Sequence, residues 1–239
     1  MLKLIHADLY KTFHRAYFYV LMLSVSVLCV ALAFAMRGGD YGNWSGAVIT
    51  GAGLLSYPIF LLPMITQIVY AEDFRDHTLK NSIAFGTNRT TLYVSKWLTT
   101  IVLGIFMTVV VLAFYFGGAA VLLTKDPTFN WELVREFFLR LAASCSVYIA
   151  AISMSVFFIQ LFNKSTLAIF LYYAAFYLTE YLLKLVHWSK GTDYLLKTQI
   201  FAISQSPLAK LQTPVVISVI TMAVFFIAGI VFFRKKDFT

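Results

Sequence analysis

The side chains able to do metal, nucleophilic or redox chemistry are few in this chain and stand apart. His6, His14, His77 and His187 are not spaced as metal ligands, and no His-Glu-x-x-His pair occurs. Cys29 and Cys145 each sit alone in a long apolar stretch without a Cys-x-x-Cys neighbour, which predicts buried small hydrophobes rather than redox or metal groups. No Gly-x-Ser-x-Gly elbow nominates a serine nucleophile, and no Gly-x-x-x-x-Gly-Lys-Ser/Thr loop offers its backbone to a nucleotide phosphate. No catalytic residue, metal ligand or cofactor of the chain's own is therefore assigned.

Charge could act in two other places. Glu180 is the one acidic residue within an apolar span, where an ionised carboxylate is expensive and marks a functional site by default. Lys184 follows one helical turn later, so the two either form a local ion pair near a helix end or take part in substrate passage. Pro58 and Pro63 belong with them as path candidates, because each removes a backbone donor and bends a helix that either gates or is statically kinked. The second place is the polar run Glu72–Arg89 between two apolar stretches. Its composition predicts a short helix around His77–Phe85, ended by Gly86 in a left-handed conformation, with Thr87 or Asn88 capping the helix that follows. Leu79, Ile83 and Phe85 would give that helix apolar contact area, and Arg75, Asp76, His77 and Lys80 polar contacts, a mixture that fits a groove on a soluble partner.

The elements that must hold these residues are apolar. Stretches free of Asp, Glu, Lys and Arg run over 16–36, 41–71, 97–124, 141–163, 165–179 and 211–233, and about 20 apolar residues cross roughly 30 Å of hydrocarbon. Tyr181-Leu182-Leu183 extend the fifth beyond Glu180. The chain is thus predicted to be an all-α polytopic membrane protein, a single transmembrane domain over 1–239, with six spans at about 16–36, 53–71, 93–123, 138–162, 166–186 and 212–233. A charged fraction of 13%, against about 25% in soluble domains, excludes a soluble fold. The alternation of a strand barrel is absent. Leu2, Ile5, Leu9 and Phe13 fall at helical spacing and predict an interfacial helix over 1–15. The first apolar run exceeds the 7–15 residues usual for a signal peptide, so an uncleaved helix is expected.

Even crossings put both ends on one side, and basic residues favour the cytoplasm. Lys3, Lys11, Arg15, Arg75, Lys80, Arg89, Lys96, Lys164, Arg234, Lys235 and Lys236 would lie inside; Arg37, Lys125, Arg135, Arg140, Lys184, Lys190, Lys197 and Lys210 would lie outside. The denser inner set predicts cytoplasmic termini and an insert at 72–92 on the cytoplasmic face, with Arg89 and Lys96 holding the start of the third span at the anionic surface. The net charge of +8 then reflects lipid contacts, not nucleic acid. Outside, the mixed aromatic and Lys composition of 187–211 suits the outer interface and predicts an anchor or a lid, and Asn130 is expected to start the helix into the fourth span.

Glu72, Thr78-Leu79-Lys80-Asn81, Gly86, Arg89 and Lys96, followed at once by an apolar helix, resemble the second cytoplasmic segment of ABC type-2 permeases, the six-helix membrane subunits of ATP-driven exporters. The resemblance extends to the interfacial helix Met1–Arg15, the long polar segment between spans five and six, and the closing Phe233-Arg-Lys-Lys-Asp-Phe238. Short subunits of this kind look most similar to those exporting or conferring immunity to antimicrobial peptides. His77 stands where the family's small polar pair usually has glycine. The resemblance implies a coupling helix docking an ATPase through Glu72, Arg75, Asp76, His77, Thr78, Leu79, Lys80 and Ile83. It also implies ATP and Mg on that separate subunit, a second permease copy or relative, and residence in the cytoplasmic membrane. The competing readings are a secondary carrier, which should show broken helices near the midplane and inverted repeats, and a sensor or scaffold that needs no ATPase.

Overall fold

Three asparagines begin three of the long helices by the same local chemistry. The computed structural model describes residues 1–75, 78–127, 129–162 and 165–236, with the backbone alone at 71, 72, 74, 75, 78, 80, 165 and 189. In it Asn43 accepts from the Gly46 N–H at 2.7 Å, Asn88 from the Thr90 N–H at 2.9 Å and Asn130 from the Glu132 N–H at 3.1 Å. Each side chain satisfies a donor that the first helical turn leaves bare. The helices are α1 (Leu2–Phe13), α2 (Ala16–Ala35), α3 (Trp44–Leu54), α4 (Leu62–Arg75), α5 (Thr78–Ala84), α6 (Arg89–Leu122), α7 (Trp131–Leu161), α8 (Ser165–Leu185), α9 (Ser189–Thr192), α10 (Leu196–Gln205) and α11 (Gln212–Lys235). Among the described residues there is no strand, only one parallel bridge between Asn43 and Thr124.

Six stretches are long and apolar enough to cross a bilayer: Ala16–Gly38, Trp44–Tyr70, Arg89–Leu122, Trp131–Leu161, Thr166–Leu185 and Leu208–Lys235. Their outward faces are apolar as well. Val20, Leu23 and Val27 of α2, and Val216, Ile220, Val224 and Ile227 of α11, are exposed, at spacings that gather each set into one stripe. A surface of that kind suits hydrocarbon, not water. The protein is an all-helical, multi-pass membrane protein. Its centre is α7, which packs against α11, α4, α8, α10 and α3 and buries 67% of its most apolar window.

The second stretch, whose span was expected from 53, is helical from Trp44. The helices that carry the third and fourth spans begin at Arg89 and Trp131, directly after Asn88 and Asn130, as expected from those caps. With 34 residues α6 is about 51 Å long at roughly 1.5 Å per residue. It therefore overruns the hydrocarbon, and its Arg89 end reaches the level of α1. Two peripheral elements are also more buried than expected. The segment 187–211 sends α10 inward, with Leu196, Ile200 and Ile203 in the main core, so it is part of the bundle rather than a lid resting on it. In α1, Leu9 and Phe13 pack on the core, Leu2 is exposed, and the residues that bury are Asp8 and Thr12.

The second span is interrupted. α3 ends at Leu54, a 3-10 turn occupies Pro58–Phe60, and α4 resumes at Leu62. Pro63 has no N–H for the Ile59 carbonyl and Pro58 none for that of Leu54. A bare carbonyl in hydrocarbon costs several kcal/mol. Tyrosines on the neighbouring helices supply the missing donors: Tyr172 donates to the Ile59 carbonyl at 3.1 Å, Tyr173 to that of Phe60 and Tyr148 to that of Leu55. The Leu54 carbonyl accepts from the Tyr57 N–H at 3.0 Å. The prolines therefore produce a full break held by side-chain hydroxyls, rather than a bend within one helix.

Tyr172→Phe should leave the Ile59 carbonyl bare and cost about 1–3 kcal/mol. A lower melting temperature in detergent, read with a thiol-reactive dye on Cys29 and Cys145, would show it. Tyr177→Phe, whose hydroxyl makes no bond to the break, should melt like the native chain.

Candidate functional site

The end of the bundle that carries both termini also carries the insert between the second and third spans. α4 runs past Tyr70 into α5, and α5 closes at Gly86, whose φ of +88° is the left-handed conformation that glycine adopts without strain. The Thr87 N–H reaches the Ser82 carbonyl at 3.1 Å and the Gly86 N–H that of Ile83 at 3.0 Å, so the last carbonyls of α5 are satisfied before Asn88 starts α6. Of the eight residues expected to dock a partner, Asp76 and His77 lie outside the described residues, and Glu72, Arg75, Thr78 and Lys80 are described by backbone alone. Leu79 corrects the sequence reading: its side chain is 3% exposed and belongs to the main core. Ile83 packs partly against the same core. The large apolar group turned outward here is Phe85, the residue that follows α5, 90% exposed. One face of a seven-residue helix has to hold it to the bundle, and Leu79 and Ile83, four residues apart, form that face.

Directly beneath α5 lies an ionic cluster that sequence reasoning missed. Lys96, expected at an anionic membrane surface, is 2% exposed and faces two carboxylates. Its ammonium lies 3.2 Å from Asp8 Oδ1 of α1 and in contact with Asp73 Oδ2 of α4, with the Tyr70 ring 5.5 Å away. Lys11 adds a second cation, 3.5 Å from Asp73 Oδ1. Among the described side chains the charges of Asp8, Asp73, Lys96 and Lys11 balance, which makes their burial tolerable. Burial pushes the Asp8 carboxyl above its ordinary value of 3.8, against the opposing pull of Lys96. Arg15 is buried too, donating to the Ile68 carbonyl and to the Tyr17 hydroxyl. The α1 helix is thus bound to α4 and α6 by charge as well as by apolar contact.

The same end ties down the last helix. Arg89 donates to the Arg234 carbonyl at 2.7 Å and to that of Lys236 at 2.8 Å, supplying the donors that the end of α11 lacks. Lys236 donates in turn to the Gln160 carbonyl near the end of α7, and burial pushes its ammonium below the usual lysine range. Gly229 lets α11 approach closely, since a β-carbon there would meet the Tyr93 hydroxyl at 2.3 Å.

At the opposite end Glu180 pairs with Lys184, as the helical spacing predicted, and also with Lys197 of α10, each at 2.6 Å. Lys197 stands 5.3 Å from the Tyr177 ring centroid and 5.9 Å from that of Tyr181. Pro58 borders an apolar cavity of about 80 Å³ between α2, α4 and α6, and Pro63 is buried. A stack connects these candidates: Phe60, within the break, lies parallel to Tyr177 at 5.7 Å, and Tyr177 underlies Lys197.

No protein-family model matches this chain, and no curated protein does. The chemistry of the two ends carries the functional reading. One end offers a structured projection over an ion-paired base; the other holds a carboxylate shared by two lysines at a helix end.

Lys96→Met should cost about 3–5 kcal/mol, because it removes the buried ammonium that pairs with both Asp8 and Asp73. Adding Asp8→Asn and Asp73→Asn should recover most of that loss in detergent melts; equal melting of the single and triple variants would rule out unpaired charge as the cause. The folded state holds the Asp8 proton more tightly than the unfolded chain. This carboxyl therefore makes stability fall as pH rises from 3.8 through its own higher pKa. Asp8→Asn should remove that slope, seen as the difference between native and variant melting temperatures across acidic pH.

Proposed function

We propose that this protein is the membrane-spanning permease subunit of an ATP-driven exporter, worked by a separate ABC ATPase and paired with a second permease subunit. The observation that carries this reading is α5: a short ordered helix between two spans, beside both termini, pinned inward through Leu79 and presenting Phe85 outward. The resemblance of Thr78-Leu79-Lys80-Asn81, Gly86, Arg89 and Lys96 to the coupling segment of ABC type-2 permeases agrees with it. On this reading both termini and α5 face the cytoplasm, the membrane is the cytoplasmic one, and ATP and Mg belong to the partner. Closure of the ATPases pushes α5, and the load enters the bundle through α4 and the Asp73–Lys96–Asp8 cluster. The cargo classes that suit the apolar, aromatic spans are a peptide, a lipid-like molecule or a hydrophobic drug.

A secondary carrier is the second reading, favoured by the broken second span, since carriers bind cargo at interrupted helices. Its weakness is chemical. The carbonyls beside Pro58 and Pro63 are already bonded to tyrosine hydroxyls and to backbone, so they are committed to structure instead of to an ion or substrate.

Purification of the tagged chain from its native host should bring down an ATP-binding cassette protein, and Phe85→Glu should reduce that recovery at least severalfold while leaving the melting temperature unchanged. A Phe85→Cys thiol should react with a membrane-impermeant maleimide in inverted vesicles and not in intact cells. Absence of any ATPase together with labelling from outside would end the exporter reading.

A further inference from the structure

Between α3, α6 and the first turns of α7 lies an apolar cavity of about 510 Å³, within the size range of small-molecule sites. Its walls include Trp44, Val48, Val109, Phe116, Phe138 and Leu141. Along α6 it extends from Val109 to Ala120, about 16 Å at roughly 1.5 Å per residue. One leaflet of a bilayer contributes about half of the roughly 30 Å of hydrocarbon, so the cavity is as deep as one leaflet and runs with the spans. It opens sideways, since Val109 and Phe138 are 59% and 60% exposed.

The mouth differs in chemistry from the walls. Trp44 and Phe129 form it edge to face at 5.6 Å, and the Lys125 ammonium lies 5.7 Å over the Trp44 ring. Asp126 is directed onto the Ser45 N–H at 3.3 Å. Arg135 and Glu132, in the opening turns of α7, are both exposed. Aromatic rings with a cation above them are the arrangement that meets a lipid headgroup at the interface. The geometry points to a built site for one phospholipid of the leaflet at this end, with an acyl chain in the cavity and its phosphate on Lys125. The lipid braces α3 against α6 and α7 where a gap would otherwise remain. The proposal does not depend on which side of the membrane this end faces, nor on the exporter reading.

Native mass spectrometry of the full chain in detergent should show one phosphatidylglycerol retained, and no diacylglycerol with the same acyl chains. Lys125→Ala should weaken that retention by about tenfold, the scale of one charge-assisted contact, and Ala113→Phe with Ala120→Phe, which fill the cavity, should abolish it. A chain keeping Trp44 as its only tryptophan gives a second readout. Its fluorescence should be quenched by acyl-brominated phosphatidylglycerol to a plateau at low lipid fraction. Equal retention of both lipids, retention unaffected by the filling variant, or quenching that rises without a plateau would overturn the assignment. So would a Phe138→Cys disulfide joining two copies in the bilayer at high yield, because a second chain would then cover the groove.

Discussion

A carbonyl freed from its helix inside hydrocarbon has no water to bond, and this constraint organises the middle of the molecule. The second span must break at Pro58 and Pro63, so the helices beside it must bring donors. Tyr148 of α7 and Tyr172 and Tyr173 of α8 do so, and each hydroxyl fixes the rotation and depth of its helix relative to the break. The order of packing follows. α7 and α8 enclose the break, α11 and α10 close on α7, and α2 and α6 pair on the far side. Removing the break would remove the reason for three buried tyrosine hydroxyls at this depth.

The second constraint is electrostatic and acts at the end that carries both termini. Lys96 is buried near the start of an overlong helix and survives there because α1 and α4 each provide a carboxylate. That arrangement gives the interfacial helix a specific docking position, which apolar contact with lipid alone would not supply. Asp73 lies on the last turn of α4, just before α5. Any displacement of α5 is therefore felt first at a buried ion pair, where small shifts carry large energies because the surroundings are poorly polarisable.

What could be read from the sequence was local. Six apolar runs, the asparagine caps at Asn88 and Asn130, the left-handed Gly86 and the Glu180–Lys184 pair all depend on residues within about one helical turn of each other, and all are present. Asp8, Asp73 and Lys96 were invisible as a group because each is, in sequence, an ordinary isolated charge, and only packing brings them together across separations of 88 and 23 residues. Leu79 and Phe85 were both expected to offer apolar contact to a partner because composition does not tell which side of a seven-residue helix meets the bundle. Lys197 joined Glu180 through a segment expected to lie at the surface as an anchor or a lid. The sign that a core helix lay there was the spacing of Leu196, Ile200 and Ile203, one turn of helix apiece.

The break and the ion cluster lie on the same span, and their combination defines how that span can move. α4 is a rigid rod anchored by charge at one end and ended at the other by a turn whose carbonyls bond to α7 and α8. Apolar contact permits sliding, but directed hydroxyl bonds and a buried ammonium between two carboxylates do not, so α4 can pivot about the turn only if the cluster rearranges or travels with it. Lys96 belongs to α6 and Asp8 to α1, so a pivot that preserves the ion pairs carries α1, α4 and the Arg89 end of α6 together. Arg89 is bonded to the end of α11, which adds a fourth helix to the moving group. On the exporter reading, motion at α5 would be directed into a concerted tilt of the helix ends on one side of the bilayer, while Phe60, stacked on Tyr177 beneath the Lys197–Glu180 pair, would hold the far side of the hinge.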